Sequence, residues 1–552
     1  MNVLQPTFIV NYTGKQIDEA INFFNTSVAE VYDSTKNYVV DDFVIYDGFL
    51  YQCLEDCTGT WNISKWQIQK LFDNNGLFIF NGEGAPAAEP TTPDYLCFTA
   101  EEPNAPLEMA GWPGAPEMNM WYSYDKDNWE KFEIGELDPD GYEVIEHGTI
   151  ITLVNVGDKV YFKGNNDHGF CVYDEEEDSS YPNEFIIKEK KVSVSGNIMT
   201  LMDETGENNT LYENNFDKLF VKSPKLTDTS ELELPSVVLA PYCYANMFAN
   251  WTDYDSELLS APQLPATTLA KRCYYNMFYG CTSLILAPEL PAATLADSCY
   301  YDMFWDCTSL TSAPELPATT LADYCYYYMF GGCTSLTSSP QLPATTLADW
   351  CYSAMFDGCT SLTTAPELPA TTLASGCYEN MFNGCTSLTS APQLPATTLA
   401  KYCYGGMFRK CTSLTTAPEL SATTLKTSCY QGMFKGCTSL IIPPELSATT
   451  LAENCYGGMF ADCTSLILAP ELPATTLAYS CYNEMFYDCT SLIVSDTSGS
   501  GYDRAWIIPK NGVGSGNYWM ESMFEDCLGT RSTDSPNFNG IQKTYYTQNT
   551  PV

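Results

Sequence analysis

The sequence predicts a multidomain, mainly β protein whose larger part is a repeat solenoid with short helices. Three observations carry that expectation. Cys273, Cys299, Cys325, Cys351, Cys377, Cys403, Cys429, Cys455 and Cys481 recur every 26 residues, and a second cysteine follows each after eight more, from Cys281 to Cys489. Far upstream, Asp47-Gly48 stands between alternating apolar residues, a strong hairpin signal. Between the two lies Gly82-Glu-Gly-Ala-Pro-Ala-Ala-Glu-Pro-Thr-Thr-Pro93, whose composition marks a linker. The expected division is a small α/β module over 1–81, the linker over 82–93, a β-sandwich over 94–205, the solenoid over 206–495 and a C-terminal capping region over 496–552.

Within the first module, Gly14-Lys-Gln-Ile-Asp-Glu-Ala-Ile-Asn-Phe-Phe24 reads as a helix with Ile17, Ile21 and Phe24 on one face. The hairpin follows, over Tyr38-Val-Val-Asp-Asp-Phe-Val-Ile-Tyr-Asp-Gly-Phe-Leu-Tyr-Gln-Cys53. Tyr51, Trp61 and Trp66 are candidates for a sugar platform, although aromatic residues in so small a module more often form its core. After the linker, Trp121-Tyr-Ser-Tyr-Asp-Lys-Asp-Asn-Trp129 and Ile150-Ile-Thr-Leu-Val-Asn-Val-Gly-Asp-Lys-Val-Tyr-Phe162 alternate as strands joined by turns, hence a sandwich.

In each repeat, Leu269, Cys273, Met277 and Cys281 recur every four residues with Tyr274 and Phe278 beside them, which predicts the buried face of a short helix. Prolines such as Pro262 and Pro265 restrict the remainder to extended conformations. Copies differ at a second set of positions with the same spacing: Lys271-Arg272, Tyr275-Asn276 and Tyr279-Gly280 in one unit, Asp297-Ser298, Tyr301-Asp302 and Trp305-Asp306 in the next. These form the outward face, and with Tyr324, Tyr327, Tyr328, Trp350, Tyr402, Tyr479 and Tyr487 they supply a candidate surface for sugars or proteins. The bland reading is that outward positions tolerate any residue and the rings cover neighbouring coils. The cysteines are expected to be free thiols, small hydrophobes that suit a narrow interior.

Charge narrows the function. With 25 Lys and Arg against 69 Asp and Glu the net charge is −44, which excludes nucleic acid as a partner. No apolar stretch has the length of a membrane span, and the N-terminus lacks the basic start of a secretory signal, so assembly in a cytoplasm is expected. No metal and no cofactor is expected: the paired cysteines lack zinc spacing and there is no phosphate-binding or dinucleotide motif. The run Asp174-Glu-Glu-Glu-Asp178 reads as a solvated loop. No catalytic residue is assigned either. His147 and His168 have no nucleophile motif beside them, and the acids Glu289, Glu315, Glu367, Glu419, Glu445 and Glu471 are replaced by Gln263, Gln341 and Gln393 in other units, an exchange that general acid–base chemistry does not allow. A glycan-degrading enzyme with its catalytic domain inside 94–205 is the weakest reading.

The Met-Phe-x-x-Cys-Thr-Ser-Leu core, as at Met303 to Leu310, resembles the BspA-like leucine-rich repeats of bacterial surface proteins over roughly residues 211 to 495. That resemblance implies a curved solenoid that binds surfaces and performs no chemistry; the Ala-Pro-Glu-Leu-Pro segment departs from a regular leucine-rich strand. The start Tyr12-Thr-Gly-Lys-Gln-Ile-Asp18 and the module after it, with Asp41 where the pattern has glycine, resemble the attachment segment and small carbohydrate-binding-like β module of tailed-phage head and tail fibers. This second resemblance implies a virion anchor, often a homotrimer, that contacts capsid or tail proteins and carries a distal binding part. Together they lead to the expectation of a non-enzymatic virion protein, a head fiber or capsid decoration of a phage of Bacteroides-type gut bacteria. It would sit on the virion surface and bind host-cell or mucosal glycans, without membrane insertion. The alternative expectation is a bacterial BspA-like surface adhesin.

Overall fold

The structure is a computed structural model. It describes residues 94–552 apart from 142, 175–178, 252–254, 509–510, 513–521, 530–542 and 549–552, and of the first 93 residues only short strands. The chain divides into two compact units, Met1–Thr91 and Thr92–Val552.

In the first unit, β1 (Glu30–Val31), β3 (Phe43–Tyr46), β4 (Phe49–Cys53) and β6 (Trp66–Ile68) form a sheet in that order, and β2 (Asn37–Tyr38) pairs with β5 (Cys57–Thr58). β3 and β4 pair antiparallel with Tyr46 opposite Phe49, the pairing a hairpin requires, and Asp47-Gly48 between them lies outside the described residues. The expected helix over 14–24 lies outside the described residues.

The second unit begins with two six-stranded sheets. The first contains β7 (Leu96–Ala100), β9 (Met120–Ser123), β10 (Glu130–Phe132), β14 (Lys159–Gly164) and β17 (Val192–Asn197), in the order β10-β9-β14-β7-β17. The second contains β8 (Ala105–Gly111), β11 (Gly135–Leu137), β12 (Val144–Glu146), β13 (Ile151–Leu153), β15 (Cys171–Asp174) and β16 (Ser179–Ile186). Alternate residues of β14 and β17 are buried, the pattern of strands with one face in a core, whereas β7 between them is buried at all but Thr99. The sheets meet through Phe98, Phe162 and Phe185, all fully buried, with Phe98 and Phe162 ring centroids 4.8 and 5.5 Å from that of Phe185.

The first sheet continues into the repeats: β17 pairs in parallel with β18 (Leu232–Glu233), and the amides of Val194 and Gly196 donate to the carbonyls of Asp228 and Glu231. From there, isolated parallel bridges join residues one period apart, for example Thr268↔Thr294, Leu286↔Ser312 and Thr424↔Thr450. Each such pairing is a single bridge, also between Thr424 and Thr450, where Ser421 and Ser447 stand in place of the proline of other units. At the far end, β19 (Thr476–Leu477) pairs in parallel with β21 (Asn511–Gly512), β20 (Arg504–Ile508) and β22 (Lys543–Thr547) pair antiparallel, and fully buried Trp506 and Tyr545 pack edge-on against Phe524 and so cover the last repeat.

One expectation is corrected. The segment carrying the cysteines contains no short helix: it is a run of four-residue turns. Cys273, Met277 and Cys281 donate their amides to Ala270, Tyr274 and Phe278, three residues back, and the third residue of each turn has left-handed backbone, with φ of +54° at Arg272, +53° at Asn276 and +69° at Gly280. A left-handed residue at every fourth position cannot belong to an α-helix. The amides between them are free of the local ladder and donate to the next repeat instead: Arg272 to Asp297, Tyr274 to Cys299, Asn276 to Tyr301, Phe278 to Met303 and Gly280 to Trp305. Every backbone donor from 272 to 281 is thus used, alternately within the turn and between repeats.

Side chains follow the turns in pairs, two inward and two outward. Inward, Tyr244, Tyr274, Tyr300 and their equivalents stack up to Tyr482 with centroids 5.6 to 6.0 Å apart. A second column of phenylalanines runs beside it from Phe220 to Phe486 at 5.4 to 5.8 Å. Each such ring stabilises the stack by about 1.5–3 kcal/mol through burial. The thiol of Cys307 donates to the carbonyl of Phe278 in the preceding repeat at 3.2 Å, and the equivalent contact recurs up to Cys489 and Phe460. The repeat cysteines from Cys273 to Cys489 are all buried and none is in a disulfide.

Candidate binding surface

Outward residues come in two kinds, set by the same turns. The second of each pair sits in left-handed backbone, so Asn276, Asn380 and Asn454, with Asp302, Asp306, Asp462 and Asp488, serve the turn in which they stand. Aromatic side chains at these positions, Tyr324, Tyr328, Trp350 and Tyr402, accept the same strained backbone at φ of 48° to 59°.

Most of the sequence-predicted aromatic residues meet. Tyr275, Tyr301 and Tyr327 stack as one row with centroids 4.8 and 4.6 Å apart. Tyr279, Trp305 and Tyr328 form a second row at 5.8 and 4.5 Å. The rows join where Tyr327 meets Tyr328 edge-on at 4.8 Å, and Tyr324, Trp350 and Tyr402 extend the patch along the array at 6.3 and 6.2 Å. Tyr324 and Tyr402 are exposed and the others half-buried, so the rings cover neighbouring coils while keeping an outer surface. Tyr479 is exposed and Tyr487 half-buried; both lie in the last full repeat, beyond the patch. Tyr51 and Trp66 lie on β4 and β6 with no described side-chain surroundings, and Trp61 lies outside the described residues.

Beneath the first row, Asp302 is buried with its Oδ1 unpaired, and burial pushes its carboxyl up to about 8. Tyr328 is pushed up to about 12, chiefly by burial and then by the charge of Asp357.

Sequence reasoning missed a cleft of about 260 Å³ at the start of the array. Its lining comes from the second sheet (Tyr173, Ser180), from the degenerate first repeats (Asn214, Asp217, Lys218, Tyr242, Asn246, Trp251) and from the first regular one (Tyr275, Asn276). Arg272 holds one wall together: its guanidinium lies 5.5 Å over the Tyr242 ring and 5.3 Å over that of Tyr275, and its Nη1 donates to the Tyr242 hydroxyl at 2.9 Å. Burial raises the carboxyl of Asp217 to about 6, and the Asn246 amide donates to its Oδ1 at 2.8 Å.

Among the described residues no group of three or more His, Cys, Asp or Glu is arranged to hold a metal ion, and no helix is long and apolar enough to cross a membrane. His147 contacts Glu108 at 2.7 Å and His168 its neighbour's carbonyl at 3.2 Å. The run 175–178 lies outside the described residues. No family model matches the chain, and comparison with curated proteins and with solved structures finds no significant relative.

Proposed function

We propose that the chain is a non-enzymatic virion protein of a tailed phage of Bacteroides-type gut bacteria, a head fiber or capsid decoration whose N-terminal region docks on capsid or tail proteins. In this reading the stacked repeats form a BspA-like solenoid that projects from the particle as a homotrimer. Its outward aromatic patch contacts host or mucosal glycans, and weak contacts repeated over many copies give avidity. The observation that supports a binding role is the contrast between the two faces of the turns. Inward Tyr, Phe, Met and Cys are the same from coil to coil, whereas outward residues change and bring aromatic rings together on one stretch from Tyr275 to Tyr402.

Immunogold electron microscopy of the producing culture, with antibodies against residues 273 to 489, tests the assignment. Label on phage heads or tails supports it. Label confined to cell envelopes overturns it and leaves a bacterial surface adhesin in its place.

A further inference from the structure

We propose that the cleft between the second sheet and the first repeats is a saccharide site that takes one neutral sugar ring. The proposal shares only its ligand class with the glycan reading above. It names a site where that reading names a surface, and it stands whether the chain is carried by a virion or a cell.

The lining has the two parts that sugar recognition needs. Aromatic rings supply apolar faces for the C–H side of a pyranose: Tyr173 and Tyr242 stack with centroids 6.1 Å apart, Tyr275 is tied to Tyr242 through Arg272, and Trp251 stands exposed at the rim. Polar groups supply the other part. Asn276 is 9% exposed, and its Oδ1 has no hydrogen-bond partner although it is buried. The Oδ1 of Asn246 is in the same condition, and its identity as an acceptor is fixed because its Nδ2 is committed to Asp217. Two buried acceptors without donors cost about 1–3 kcal/mol each unless a donor arrives.

That donor is a hydroxyl rather than a cation. Lys218 lines the same cleft with its ammonium 5.9 Å from the Trp251 ring, and no carboxylate among the described residues lies within ion-pair distance of it. The Asp217 carboxyl in the same lining already has Lys218 as its neighbouring positive charge, whereas vicinal O–H groups satisfy the two asparagines, and Lys218 can donate to the ring's other oxygens. The volume of about 260 Å³ falls just below the usual range of ligand pockets, which begins at about 300 Å³, and limits the occupant to one ring.

The test is saturation-transfer NMR and calorimetric titration of the full chain with methyl glycosides of galactose, mannose, fucose and N-acetylglucosamine. The expected result is binding of at least one, with a dissociation constant on the order of 1 mM. Asn276→Gly keeps the left-handed backbone while removing the amide, and Trp251→Ala removes an exposed rim ring that also meets Tyr279 at 6.3 Å; each is expected to weaken binding about tenfold, and Asn276→Gly is the variant that touches the cleft without the aromatic rows. Tyr479→Ala is expected to leave it unchanged. Silence of all four glycosides overturns the proposal. So does binding that survives both cleft variants; if it is then lost in Tyr301→Ala, the sugar lies on the aromatic rows and the surface reading stands without the cleft.

Discussion

Trp350 lies over Gly376 of the next coil. A Cβ placed on Gly376 would come within 2.6 Å of the indole, and the ring goes on to stack with Tyr402, one coil further, at 6.2 Å. The glycine therefore does two things at once: it takes the left-handed turn position at φ +60° and makes room for a ring that spans two coils. Gly376→Ala is expected to lower stability by about 2 kcal/mol, from backbone strain and the clash together. In a Trp350→Gly background the same substitution should cost about 1 kcal/mol, the backbone part alone. A double-mutant cycle by urea denaturation measures the difference.

Gly458 isolates the backbone effect. It also sits at φ +60°, yet an added Cβ would meet nothing within 4 Å. Gly458→Ala should destabilise by about 1 kcal/mol and Gly458→Asn by less, because asparagine tolerates left-handed backbone. Equal losses in the two variants would show that the turn does not impose the conformation.

The inner thiols act as hydrogen-bond donors as well as filling space. Cys333 donates to the carbonyl of Phe304 at 3.1 Å, so Cys333→Ala should cost about 1–2 kcal/mol and Cys333→Ser less, because its hydroxyl keeps a donor. Burial holds these thiols protonated; that of Cys463 is pushed up to about 12. A thiol-specific disulfide reagent at pH 8 should therefore label no cysteine of the repeats in the folded protein and all of them in denaturant.

Asp302 sets a pH dependence. Its carboxyl is raised from 3.8 to about 8 by burial, so between those values the unfolded chain releases a proton that the folded chain keeps. Stability contributed by the protonated form is present at low pH and is lost as pH rises from about 4 to about 8. Asp302→Asn, which suits the left-handed position and carries no charge, should flatten that slope and raise the denaturation midpoint at pH 8 while leaving it nearly unchanged at pH 4. An unchanged slope would place the charge in water.

Much of the architecture was legible, because the cysteine period and the invariant Tyr, Met and Phe fix which residues stack. The antiparallel pairing of Phe43–Tyr46 with Phe49–Cys53 was legible for the same kind of local reason. The helix was misread because a spacing of four fits a helical face as well as a run of four-residue turns. The discriminating signal was present in Asn276, Gly280, Asp302 and Asp306, polar or glycine residues at every fourth position, which favour left-handed turns and disfavour helix interiors. The aromatic rows could be anticipated from the variable positions. The cleft could not, because Tyr173 comes from the second sheet while Tyr242, Asn246 and Trp251 come from units too degenerate to align with the regular repeat.

The alternation of amide bonds also has a mechanical consequence. The amides of 272, 274, 276, 278 and 280 all point lengthwise to the next coil, so tension along the stack opens them from the end, one coil at a time, instead of shearing many together. Each 26-residue coil that peels away adds about 90 Å of slack chain. A chain stacked this way is expected to yield to tension in steps, lengthening coil by coil while the remaining coils keep their packing.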